Sequence, residues 1–348
     1  MSTLPANGAI SKLKAKDYAT DQDVRWCPGC GDYSILKQVQ SVLAELELDK
    51  DNTVFISGIG CSSRFPYYMD TYGMHSIHGR APAVATGLKL ANPDLDIWMI
   101  TGDGDGLSIG GNHLIHLLRR NLNFNVLLFN NQIYGLTKGQ YSPTSEVDKK
   151  TKSTPFGSLD HPINPLALAM GADATFVARS MDRDPRHLKE MLKRSYFHKG
   201  TALLEIYQNC NIFNDGAFFA FSEKQSRADT TIYLEHGKPL VFGSENTKGI
   251  RLDGFKPQVV PLKDGTYTLD DLWIHDEKDL VKGQLLTRFF DDPRTSEPYL
   301  PRPFGVLYAT ERPCYEEMLF NQIEYSIEQL GAGDLDKLIA GNTTWEIQ

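Results

Sequence analysis

Five short apolar runs, rich in β-branched residues, constrain this chain more than any other feature. They are "TVFISGIG" at 53–60, "DIWMITGDG" at 96–104, "FNVLLFNN" at 124–131, "DATFVARS" at 173–180 and "TALLEIYQN" at 201–209. A strand with one wet face alternates apolar and polar residues; near-continuous hydrophobicity belongs to strands covered on both sides. Helical patterns lie between or before the runs. Within 32–47, Ile35, Leu36, Val39, Val42, Leu43 and Leu46 fall on one stripe. Residues 80–91 and 107–120 also read as helices, and "DPRHLKEMLKRSYF" opens on Asp184 as N-cap with Pro185 at the first helical position. Strands alternating with helices predict an α/β fold: a parallel sheet with helices on both faces. Such sheets bind ligands at the carboxyl ends of their strands, where the segments "GIGCSS", "GDGDG" and "NNQIYG" fall.

The organisation predicted is a tail over 1–24, an α/β domain over 25–215 and a C-terminal extension over 216–348. The extension is richer in Gly, Pro and Lys, its strands are short, and "RTSEPYLPRP" at 294–303 reads as extended. It is expected to wrap over the core or against a partner. With 36 basic against 44 acidic residues the net charge is −8, which gives a nucleic-acid role no electrostatic support. No apolar run approaches the ~20 residues of a membrane span, and the N-terminus has no hydrophobic signal core. A cytoplasmic protein without membrane or nucleic-acid partners is expected.

The segment "ITGDGDGLSIGGNHLIHLLRRNLNFNVLLFNNQIYGLTKGQ" carries the clearest chemistry. Gly102-Asp103-Gly104 ends one strand and opens a helix, and Asn131 ends the next. A strand–helix–strand unit returns to the same sheet edge in this length, so the Asp103 and Asn131 side chains can meet. With the main-chain carbonyl of Ile133 they offer hard oxygen ligands, which suits Mg²⁺ completed by phosphates and water. The glycines let backbone N–H groups approach a diphosphate. A dinucleotide fingerprint would need Gly at 107, and a calcium loop a ligand at 107 and Gly at 108; Leu107 and Ser108 satisfy neither.

Five cysteines in a chain without an export signal favour metal binding or catalysis over a disulfide framework. Cys27 and Cys30 form a Cys-x-x-Cys pair before the first helix. Cys61 and Cys210 follow the first and fifth strands, at the same edge as the diphosphate site. Four thiolates converging there would make a [4Fe–4S] centre or an all-cysteine zinc site. A thioredoxin-like dithiol would need only the pair and would leave Cys61 and Cys210 unexplained.

Gly-Asp-Gly followed by a second Asn resembles the diphosphate-binding motif of thiamine diphosphate enzymes. The resemblance implies Asp103 and Asn131 as Mg²⁺ ligands, beside the Ile133 carbonyl already singled out, with Gly104, Asp105, Gly135 and Leu136 lining the cofactor; Gly102, which opens the motif, is expected to line it too. More specifically, "WCPGCG", "GIGCSSR", "IHGRAPAVATGLKLANP", "GDGDGLSIGGNH", "NNQIYGLTKGQYSPT" and "EIYQNCNIFND" occur in the order seen in 2-oxoacid:ferredoxin oxidoreductase β subunits. The tail, with "YLEHGKPLVFG" and "GIRLDG", looks most like that of the 2-oxoglutarate enzymes. This resemblance implies that Cys27, Cys30, Cys61 and Cys210 hold one [4Fe–4S] cluster. It places Ile59, Gly60, Cys61, Ser62, His78, Gly79 and Arg80 around thiamine diphosphate. Cys314 matches no ligand of the family.

The activity so implied is oxidative decarboxylation of 2-oxoglutarate with coenzyme A to succinyl-CoA and CO₂, or its reverse, with pyruvate or a branched-chain 2-oxoacid as the runner-up substrate. The chain lacks the closely spaced four-cysteine run of a built-in ferredoxin, so a separate ferredoxin is the expected electron partner. Thiamine enzymes bind the aminopyrimidine on a second domain, so an α subunit is implied, as a heterodimer or heterotetramer. Arg64 and Lys138 are the candidates to pair the substrate's distal carboxylate, and His78 to contact the cofactor or the reacting centre.

Overall fold

The computed structural model describes residues 12–296, 298–343, 345 and 347. Residues 1–11 of the 1–24 tail therefore lie outside the described residues. The main sheet has eight strands in the order β2-β1-β3-β4-β6-β5-β11-β7. Their ranges are β1 (Thr53–Ser57), β2 (Tyr72–His75), β3 (Asp96–Gly102), β4 (Phe124–Asn130), β5 (Phe176–Met181), β6 (Thr201–Tyr207), β7 (Thr231–Tyr233) and β11 (Arg302–Ala309). All neighbours are parallel except β5 and β11. β8 (Val241–Phe242), β9 (Lys248–Asp253) and β10 (Lys256–Pro261) form a separate antiparallel sheet.

The five apolar runs are five consecutive strands of this sheet, and β1, β4, β5 and β6 are buried along their whole length. Alternate residues serve opposite layers. Leu127 and Phe129 of β4 pack with α1 (Asp32–Glu45) and with the helix Pro185–Phe197, whereas Val126 and Leu128 pack with α2 (Ala81–Ala91) and the helix Gly111–Arg120. The helix expected over 107–120 is instead two. A short α3 (Asp103–Leu107) is separated from α4 (Gly111–Arg120), because the chain there packs backbone to backbone: a Cβ on Gly79 would sit 2.5 Å from Gly110 N.

The extension is built differently from the sequence expectation. It does not only wrap over the core, since β7 and β11 join the main sheet and continue it past β5. The boundary at 215 therefore runs through one shared sheet. Pro303 and Gly305 disguise β11, because proline is rare inside sheets and Gly305 adopts φ +118° beside an irregularity in register. The C-terminal helix Tyr315–Leu330 is largely exposed. Among the described residues, no helix is long and apolar enough to cross a membrane.

Candidate functional site

A cleft of about 450 Å³ opens at the carboxyl ends of β1, β3 and β4. Its floor is the turn from β3 into α3. Asp103 there is 2% exposed, and its Oδ2 accepts hydrogen bonds from Ser142 Oγ at 2.5 Å and Thr144 Oγ1 at 2.6 Å. Burial pushes its carboxyl above the usual range, and these hydroxyls, with the N–H groups of Asn131 and Gly104, oppose that shift. Asp103 and Asn131 thus meet, as the spacing predicted, and Ile133 lines the same wall. A desolvated carboxylate held by hydroxyls, beside an amide and a carbonyl, is an all-oxygen set that fits a hard cation.

Asp105 plays a bracing part. Its Oδ1 accepts from Ile59 N (3.0 Å), Gly79 N (2.7 Å) and His78 Nδ1 (2.7 Å), and its Oδ2 from Thr101 Oγ1 (2.8 Å). One buried carboxylate therefore pins the loop after β1 and the loop before α2 to the β3 turn. It also fixes the imidazole: a carboxylate only accepts, so Nδ1 of His78 carries a proton and Nε2 faces away from Asp105. Gly104 leaves room for Tyr134, whose ring a Cβ there would approach to 2.2 Å and whose Oη donates to Gly104 O at 2.9 Å.

Of the residues expected around the cofactor, Ile59, Gly60, Cys61, Ser62, His78, Gly102, Gly104, Asp105, Gly135 and Leu136 line the cleft. Gly79 and Arg80 lie behind the lining: Gly79 packs on Gly110, and Arg80 Nη1 reaches Ile109 O at 3.3 Å. Arg64 stands in an adjoining cleft of about 560 Å³ that shares Ile59, Gly60 and Leu136 with the first. Lys138 is exposed at a turn with φ +74° and lines neither. Tyr134, Thr137 and Gln140 line the cleft without having been anticipated. Their signal was the polar and aromatic composition of "NNQIYGLTKGQ" beyond its asparagines.

The cysteine segments converge beside this cleft. Cys30 N donates to Cys27 O at 3.0 Å around Pro28 and Gly29, with Gly29 at φ +84°. Proline followed by a left-handed glycine is the type II turn pattern. Trp26 Nε1 donates to Cys61 O (2.6 Å), Asn211 Nδ2 to Pro28 O (2.7 Å) and Gly31 N to Asn209 O (3.2 Å), which stitches the three segments together. Gly135 closes the group, since a Cβ on it would lie 3.5 Å from Cys61 Sγ and 3.6 Å from Cys210 Sγ. All five cysteines are free.

Burial, then Asp32 and the other cysteines, push the Cys30 thiol strongly up; the same order of causes takes Cys61 up to about 12. Thiols crowded in an apolar site ionise readily only against strong positive charge, such as bound metal. Among the described residues, no three His, Cys, Asp or Glu side chains are placed to grip a single metal ion. Cys314 is buried elsewhere, at the start of the C-terminal helix.

The parallel sheet, its glycine turn and the paired Asp103 and Asn131 define a thiamine-dependent enzyme domain, and residues 58–206 match the family model for the C-terminal thiamine pyrophosphate-binding domain of thiamine pyrophosphate enzymes. The chain is 50% identical over 344 residues to 2-oxoglutarate oxidoreductase subunit KorB of Mycobacterium tuberculosis, covering 96% of this chain and 88% of that one. It is also 50% identical over 198 residues to 2-oxoacid:ferredoxin oxidoreductase 1, subunit beta, of Aeropyrum pernix, covering 57% and 62%. Its fold is similar, with a TM-score of 0.73 and 35% identity, to a solved 2-oxoglutarate:ferredoxin oxidoreductase from Magnetococcus marinus with 2-oxoglutarate, coenzyme A and succinyl-CoA bound, covering 97% of this chain and 99% of that one. The chain belongs to the KorB family, the β subunits of 2-oxoglutarate:ferredoxin oxidoreductases.

Proposed function

We propose that this chain, with an α subunit, carries out coenzyme A-dependent oxidative decarboxylation of 2-oxoglutarate, or the reverse, with ferredoxin as electron partner in the cytoplasm. The observation that carries the reading is a shared wall. Cys61 and Gly135 line the cleft, and Gly135 also abuts the sulfurs of Cys61 and Cys210. Two of the four candidate cluster cysteines, Cys61 and Cys210, thus stand against the cleft with no intervening layer.

Thiamine diphosphate supplies the carbon nucleophile and electron sink for decarboxylation, and a [4Fe–4S] cluster on Cys27, Cys30, Cys61 and Cys210 supplies a one-electron exit. Asp103, the Asn131 amide and the Ile133 carbonyl would hold Mg²⁺ against the diphosphate. Asp105 keeps His78 oriented with Nε2 free to hydrogen-bond. Exposed Ile77, Ile109 and Leu136 near the cleft suit burial against an α subunit, which would exclude water from the reacting centre. Arg64, in the adjoining cleft, is better placed than exposed Lys138 to receive a distal carboxylate while both subunits are apart. Closure by the α subunit would be needed to bring Lys138 into reach.

The test is anaerobic co-purification with the α subunit, followed by metal and thiamine analysis and a ferredoxin-reduction assay. About four irons per β chain and a kcat/KM for 2-oxoglutarate well above that for pyruvate are expected. Zinc in place of iron, or a preference for pyruvate, would overturn the corresponding part of the reading.

A further inference from the structure

Gln208 follows β6 directly and is 1% exposed. Its Oε1 accepts from Asn131 Nδ2 at 2.8 Å, and its Nε2 donates to Cys30 Sγ at 3.2 Å and to Asn209 O at 2.7 Å. Its own N–H is fixed on Asn130 O at 2.9 Å, so the side chain projects from an anchored backbone. Among the described residues, it is the one side chain hydrogen-bonded to both a candidate magnesium ligand and a candidate cluster ligand.

We propose that Gln208 is a positioning residue that couples the two centres: it holds Asn131 with its oxygen available to the cation, and its N–H···S bond to Cys30 raises the cluster's reduction potential, more so when the cation site is filled. The proposal rests on the function argued above. Engaging Nδ2 of Asn131, with Ile133 N donating to its Oδ1 at 3.2 Å, commits the amide orientation and leaves the second lone pair of Oδ1 for the cation. Partners of this kind orient metal ligands and tune the metal. A hydrogen bond to a cluster sulfur favours the more negative, reduced state. The two amides form a chain of hydrogen bonds, and such chains polarise one another. A cation on Asn131 Oδ1 makes Nδ2–H a stronger donor to Gln208, which in turn makes Nε2–H a stronger donor to sulfur. Coupling of this kind is reciprocal, so a reduced cluster tightens cation binding.

The experiment uses the αβ enzyme, titrated anaerobically by electron paramagnetic resonance with and without thiamine diphosphate and Mg²⁺, alongside Mg²⁺ binding isotherms. Gln208→Leu removes both contacts. It is expected to lower the cluster potential, to weaken Mg²⁺ binding by about tenfold, and to abolish the change in potential on cofactor loading. Gln208→Glu keeps the acceptor for Asn131 but not the donor to Cys30. It should lower the potential while holding Mg²⁺ within about threefold of the parent, less than the loss a severed ligand-orienting contact brings; it also controls for folding. Iron-loaded Gln208→Leu with unchanged potential and Mg²⁺ affinity overturns the proposal and leaves the proposed function standing. A parent enzyme that takes up no iron overturns both.

Discussion

Arg179 and Glu205 form an ion pair with no accessible surface on either side chain, Nε to Oε2 at 2.7 Å, between the neighbouring strands β5 and β6. Arg179 Nη1 also reaches Pro303 O on β11 at 3.1 Å, and Glu205 Oε1 accepts from Asn130 Nδ2 at 2.8 Å. In Arg179→Met, Glu205 keeps one neutral hydrogen bond and loses its ion-pair partner. Stranding one member of a buried pair costs about 3–5 kcal/mol. Nη2 of Arg179 has no acceptor, so deleting the guanidinium also removes one unmet donor, which places the cost near the lower bound. At roughly 2 °C per kcal/mol for a chain of this size, the melting temperature at pH 7 should fall by about 6 °C. Arg179→Met/Glu205→Gln removes both charges of the pair and keeps the contact to Asn130, so calorimetry should find most of the loss recovered. A single variant that melts within 1 °C of the parent, by the same roughly 2 °C per kcal/mol, or a double variant less stable than either single one, would refute the reasoning.

Two further outcomes are expected. Burial, with Arg227 adding to it and Asp184 opposing, lowers the His187 pKa to about 4, while its Nδ1 lies 2.9 Å from Ser180 Oγ. A histidine whose folded pKa lies below its unfolded value stabilises above pH ~6.5 and loses that contribution as pH falls toward 4. His187→Gln should therefore flatten the acid side of the stability profile by up to about 3 kcal/mol, and parallel profiles of parent and variant would contradict this. Gly104→Ala drives a Cβ into the Tyr134 ring and should weaken thiamine diphosphate binding by about tenfold, the equivalent of a 1–2 kcal/mol overpacking penalty. Fluorescence titration decides this, and an unchanged affinity would show that Tyr134 is free to move aside.

The parts of the fold legible in the sequence are those in which burial on both faces leaves a continuous apolar run, from β1 and β3 to β6. β2 is four exposed residues at the sheet edge and carries no such run. β11 is buried but contains a proline and a left-handed glycine, so local rules argue against the strand that tertiary pairing enforces. At the site, Asp103, Asn131 and the cysteines were legible because few other roles suit those residues at strand ends. Ser142, Thr144 and Gln208 were not, because an isolated hydroxyl or amide carries no signal until a distant loop folds back onto its partner. Asp105 was anticipated as a lining residue. Its four hydrogen bonds to three separate segments depend on contacts that no spacing rule expresses.

The placement of β11 also sets an order of events during synthesis. β5 is made well before its outer neighbour, and β11 completes that edge only when the chain has grown to Ala309. Until then a nascent chain that already contains the cleft and all four site cysteines presents an open, apolar strand edge, the feature most prone to pairing with another chain. A strand made long after the cleft's own segments is therefore the seal on the sheet that carries them.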